Sequence, residues 1–153
     1  MITFLSLAVA TALGVGYVPI APGTAGSAVG LLLWAILPAS ATVQTPVILA
    51  MLVVGSVAGT VAERHFNRRD PRHVVLDEVM GMLITLYLIP ELTWKGAIIG
   101  FLLFRAADVV KPFPANRLER LHGGLGVMAD DAMAAVYANM ALRLVLLVFP
   151  SVR

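Results

Sequence analysis

The chain has 153 residues, 59% of them hydrophobic and 13% charged, and its mean hydropathy is +0.91. That is more apolar surface than one soluble core of this length needs, so a membrane protein is expected. The absence of cysteine excludes structural disulfides, thiolate metal sites and cysteine-nucleophile chemistry. With a net charge of only +2, no nucleic-acid partner is expected.

Residues 1 to 20 are apolar, and Ala8-Val9-Ala10 resembles a signal-peptidase site. The basic stretch that opens a secretory signal is missing, so the segment is read as mature protein. Residues 1 to 15 suit either a further span or an interfacial helix. Ala21 to Ser27 then forms a glycine-rich turn opening a helix. Its N–H groups, with the Thr24 and Ser27 hydroxyls, suit a phosphate oxygen. A helix cap followed by close packing through Gly26 and Gly30 accounts for the same residues.

An apolar run from Ser27 to Leu37, a turn from Pro38 to Pro46 and a charge-free run from Thr45 to Ala62 predict an antiparallel hairpin. Its second arm, about 27 Å long, nearly matches the hydrocarbon thickness of a bilayer. Beyond a charged stretch, Val79 to Ile89 and Trp94 to Phe104 flank a break at Pro90 to Thr93 and predict a second hairpin. Its arms are short for full spans, so they tilt, extend into their charged flanks or re-enter the membrane. A last helix is expected from about Met128 to Val148. The fold class is therefore all-α: a polytopic membrane bundle of four to six helices, including short or re-entrant hairpin helices, in one membrane-embedded domain over residues 1–153.

This topology places the turns at 39–44 and 90–93 on one side. Residues 22–27, 63–78 and 105–131 fall on the other. Eight of the 11 basic residues lie in two stretches, Arg64 to Arg72 and Arg105 to Arg120, and eight of the nine acids lie in or beside them. The Arg and Lys bias makes that face cytosolic.

Three acidic segments meet apolar helices on this face. Asp77-Glu78 leads into Val79-Met80-Gly81, with Gly81 one turn beyond Asp77 on the same face. Arg105, Asp108 and Lys111 precede Pro112, and Arg105 and Asp108 share a helix face, as a plain ion pair would. Asp130-Asp131 follows Gly123-Gly124-Leu125-Gly126. Each acidic pair alone fits a helix dipole. Five or six carboxylates on one rim repel unless a multivalent cation neutralises them, and oxygen-only ligands favour Mg²⁺ or Mn²⁺ over zinc. Glu63 is a further candidate ligand, or an interfacial charge paired with a nearby base. His65, His73 and His122 match no zinc spacing. Asn139 and Arg143 continue the Asp131 and Ala135 face as possible interhelical hydrogen-bond partners.

Four blocks, Ala21 to Ser27, Asp77 to Gly81, Arg105 to Pro114 and Gly123 to Asp131, together resemble the phosphatidylglycerophosphatase A family in residue type and order. Ala107 and Ala135 depart from the family's usual Phe and Gly, which bears on packing. The resemblance implies a bacterial Mg²⁺-dependent phosphoric monoester hydrolase that converts phosphatidylglycerophosphate to phosphatidylglycerol, while composition and the Arg and Lys bias place it in the inner membrane with its active site facing the cytosol.

On that reading Glu63, Asp77, Glu78, Asp130 and Asp131 hold the metal, and Asp77, Asp108, Asp130 and Asp131 are catalytic. Thr24, Gly26, Ser27, Arg105 and Lys111 bind phosphate. The attacking group is either water or a carboxylate. The bilayer and the lipid substrate are the expected partners, and oligomeric state is left open. A small divalent-cation carrier or channel subunit is the alternative, since it explains the acids. It gives Arg105, Lys111 and the glycine turn no task.

Overall fold

The structure, a computed structural model, describes residues 1–152. Among them all regular structure is helical: α1 (Ile2–Ala10), α2 (Pro22–Ile36), α3 (Ala41–Phe66), α4 (Leu76–Thr85), α5 (Trp94–Val110), α6 (Ala115–Leu118) and α7 (Gly124–Val148), with short 3₁₀ turns at Val15–Tyr17 and Pro150–Val152. Seven helices exceed the expected four to six because the chain also forms the single-turn α6 and the short α1.

Two helices are long and apolar enough to cross a membrane, α3 and α7. Helix α3 begins four residues before the expected run and takes in Pro46. The proline lies in the second turn, so only one intrahelical bond is lost, near the helix end. Helix α7 likewise starts at Gly124 instead of Met128, because Gly124 meets the α3 backbone at Gly59. Helix α1, at about 14 Å, is too short for a span. It lies against α3, and the Ala10 carbonyl accepts the Val75 N–H (2.9 Å).

Helix α4 is the centre of the bundle, in contact with α2, α3, α5 and α7. The second hairpin is therefore unequal, a buried ten-residue helix beside a 17-residue one. Other helices enclose both ends of α4, as a short helix in an apolar setting requires. The space beside Gly81 is filled by the Phe104 ring of α5.

The two turns expected on one side do lie at one end. There Trp34 meets Trp94 edge-on at 5.8 Å, and Thr45 hydrogen-bonds Tyr87 (2.6 Å). The acidic segments lie at the other end. Between them is an apolar core that includes Met82, Leu86, Phe104, Ala138 and Leu142. The outer faces are apolar as well: Val53 and Val57 on α3, Leu102 on α5, and Met140, Leu144 and Leu147 on α7 are all exposed.

Candidate metal and phosphate site

Asp77 and Glu78 occupy the first turn of α4, where the helix dipole favours negative charge. Asp131 comes from a different environment, two turns inside α7, because the glycine segment before it is helix and not loop. The dipole account available for Asp130-Asp131 in the sequence therefore falls away. Asp77, Asp130 and Asp131 are each 5% exposed or less. Asp77, Glu78 and Asp131 each present an oxygen within 4.8 Å of the others.

Among the described residues, Asp77 Oδ1, Glu78 Oε2, Asp130 Oδ1 and Asp131 Oδ2 are buried with no hydrogen-bond partner. Buried carboxylate oxygens facing one another are costly without a cation. An all-oxygen donor set fits a hard divalent ion such as Mg²⁺ or Mn²⁺.

Two cations flank this cluster. Helix α5 ends at Lys111, whose left-handed backbone (φ 46°, ψ 62°) lies just before Pro112. Its Nζ donates to Asp130 Oδ2 (2.6 Å) and lies 3.5 Å from Glu119. Burial opposes the Lys111 charge. The Asp130 hydrogen bond and the Asp130, Glu119 and Asp70 carboxylates outweigh it, holding the ammonium above the usual lysine range.

Arg105 pairs with Asp108 at 2.9 Å and donates to Ser27 Oγ (3.4 Å), while the Ser27 hydroxyl donates to the Gly23 carbonyl (3.0 Å). The first turn of α2 covers the site closely. A Cβ on Gly23 would run into Glu78 Oε1 and come 3.3 Å from Arg105 Nη1.

The expected residues divide accordingly. Asp77, Glu78, Asp108, Asp130, Asp131, Arg105, Lys111 and Ser27 gather at one end of the bundle. Thr24 is exposed at the start of α2. Gly26 packs against Val75, serving helix contact. Glu63 stands apart: it accepts the Asp70 N–H (3.1 Å) and lines a cleft of about 340 Å³ with Arg68, Arg69, Asp70, Glu119 and Arg120. His73 stacks on Phe66 at 4.7 Å, and its Nδ1 is buried without a hydrogen-bond partner.

Glu119 and Asp70, both close enough to act on Lys111, are neighbours that sequence reading did not assign to the site. The prolines after Lys111 remove any helical periodicity that would have linked it to Glu119. Asn139 and Arg143, noted only as possible partners, make a hydrogen-bonded clasp on α4, described below.

A family profile described as Phosphatidylglycerophosphatase A matches residues 8–146. The chain belongs to the phosphatidylglycerophosphatase A family, enzymes that hydrolyse phosphoric monoesters. Two relatives bear the family's name. One from Haemophilus influenzae is 36% identical over 84% of this chain and 81% of its own. One from Escherichia coli is 33% identical over 83% of this chain and 75% of its own. A Bacteroides thetaiotaomicron protein whose name proposes phosphatidylinositol-3-phosphatase activity is 37% identical, covering 89% of this chain and 90% of its own. No solved structure gives a significant match.

Proposed function

We propose that this chain hydrolyses the terminal phosphate of phosphatidylglycerophosphate, releasing phosphatidylglycerol and inorganic phosphate with the help of Mg²⁺. The observation that carries this reading is the meeting of three carboxylates, each with one buried oxygen that has no hydrogen-bond partner, close to Arg105 and Lys111. Asp77, Glu78 and Asp131, with Asp130 beside them, would hold the ion. When bound, such an ion polarises phosphoryl oxygens and makes water a better nucleophile.

The chain's own groups do the rest. Asp108 and Ser27 aim the Arg105 guanidinium, leaving its other N–H groups for the phosphate. Lys111 adds a second positive charge, and the Thr24 turn orients the head group. In hydrolysis a water oxygen bonds to phosphorus while the phosphorus–glycerol oxygen bond breaks, and the departing oxygen takes a proton. Direct attack by a carboxylate would instead leave an acyl phosphate that hydroxylamine traps.

The exposed apolar faces of α3, α5 and α7 support a single bundle crossing the bacterial inner membrane several times. The arginine-rich loops support a cytosolic metal end. The apolar core beneath the carboxylates argues against the cation-carrier alternative, because an ion path would need polar lining there.

The Bacteroides relative favours a second reading, phosphatidylinositol 3-phosphate as substrate. Both lipids carry a phosphate monoester on an anionic glycerophospholipid. Phosphate release from each, and from phosphatidate, with Mg²⁺ or with EDTA, tests both. The expected result is Mg²⁺-dependent release fastest from phosphatidylglycerophosphate. Full activity in EDTA would overturn the metal, and faster turnover of phosphatidylinositol 3-phosphate would overturn the substrate.

A further inference from the structure

Helix α4 carries two of the carboxylates at its start and ends inside the bundle, so its last carbonyls need donors from elsewhere. Asn139 and Arg143 of α7 supply them. Asn139 Nδ2 donates to the carbonyls of Ile84 (3.3 Å), Thr85 (2.9 Å) and Tyr87 (3.2 Å). Arg143 Nη2 donates to those of Tyr87 (2.9 Å) and Leu88 (3.1 Å), and its Nε donates to Asn139 Oδ1 (2.8 Å). The guanidinium also lies where the α4 dipole is negative.

The two helices run in the same direction, and the same stripe of α7 meets both ends of α4. Asp131 faces Asp77 and Glu78 at the metal end, and Asn139 meets Thr85 at the other. From Asp77 to Thr85 and from Asp131 to Asn139 is the same number of residues, about 12 Å along each axis. Apolar contacts such as those of Met82, Ala135 and Ala138 are non-directional. Hydrogen bonds to particular carbonyls add a directional constraint on which residues face each other.

We infer that Asn139 and Arg143 are positioning residues: they set the register of α4 against α7, and so the spacing of Asp77 and Glu78 from Asp131. The clasp touches neither phosphate nor ion and acts through those carboxylates. This inference rests on the metal-site reading above.

The test compares wild type, Asn139→Leu, Asn139→Gln and Arg143→Gln in detergent and in lipid nanodiscs. It reads Mn²⁺ binding by electron paramagnetic resonance and the Mg²⁺ dependence of phosphate release. Asn139→Leu keeps the side chain's size and removes its donors, so half-saturation should rise about 10-fold to 100-fold, as for other groups that orient metal ligands. Arg143→Gln should give a smaller rise, and Asn139→Gln should restore part of the loss.

A lower melting temperature with unchanged Mn²⁺ affinity and unchanged half-saturation would overturn the inference, leaving a merely structural cap. If Asn139→Leu does not fold, Arg143→Gln and Asn139→Gln decide by the same readouts. Wild-type protein that neither binds Mn²⁺ nor depends on Mg²⁺ would overturn the metal reading itself, an outcome distinct from failure of the clasp.

Discussion

The two acidic pairs look alike as strings, an Asp followed by an acid beside an apolar run, yet they stand in different physical situations. Asp77-Glu78 lies in the first turn of a buried helix, where free N–H groups and the dipole offset part of the charge. Asp130-Asp131 lies two turns inside α7 without that help. Its members diverge further: Asp130 reaches Lys111, while Asp131 turns to Asp77 and Glu78. Position in a helix, which letters alone do not reveal, decides which pair the helix dipole helps to offset.

The largest effect should come from breaking the carboxylate cluster. Asp77→Asn or Asp131→Asn should lower phosphate release on the order of 10³-fold, the rate equivalent of ~4 kcal/mol of lost transition-state stabilisation. The same variants sharpen the comparison through thermal melts. In EDTA, Asp131→Asn should melt at or above wild type, since it removes buried repulsion without dipole compensation. The stabilisation that saturating Mg²⁺ gives wild type, about 2.7 kcal/mol at a hundred times Kd, should vanish. A variant that melts far below wild type in EDTA would show instead that Asp131 has a protein partner.

Asp130→Asn tests the other arm. It leaves Lys111 near a buried position without its closest anion, and should destabilise by about 1–3 kcal/mol, less than a fully buried pair because Lys111 is part exposed. Activity should fall less than for Asp131→Asn, and equal losses would erase the distinction between the two aspartates.

Orientation is open to a direct test because the chain has no native cysteine. An impermeant maleimide should label Arg69→Cys from the cytosolic side and Glu91→Cys from the opposite side. The reverse pattern would invert the proposed topology.

The smallest effect is expected at Glu63. Glu63→Gln keeps an acceptor for the Asp70 N–H, and activity should stay within about threefold of wild type. A loss as large as at Asp77 would mean that Glu63 holds the ion directly.

Much of the site was legible because it depends on local chemistry. Acids at the ends of apolar runs, Arg105 and Asp108 one turn apart, and Lys111 before Pro112 all mark themselves by composition and spacing. Glu119 did not, since it reaches Lys111 only by the fold of a proline-broken segment. Gly26 was read both as part of a phosphate turn and as a packing glycine, and in the fold it lies against Val75 with the Glu78 Cβ close by; the packing account and the ligand account use the same letters. The turn before α3 was placed too long because Pro46 was taken as a breaker, although in the second turn of a 26-residue helix it removes only one hydrogen bond near the end.

By itself, the sequence determined that the chain is helical, rich in apolar surface, free of thiols and polarised with most of its charges toward one end. Those properties follow from residue type and period, which local physics reads directly. The tertiary structure alone decided that α4 is the enclosed centre, that Asp131 joins Asp77 and Glu78 while Asp130 joins Lys111, and that Asn139 and Arg143 cap α4. Such pairings depend on how helices distant in sequence are set along one another, and that register is fixed by packing and by hydrogen bonds across the bundle.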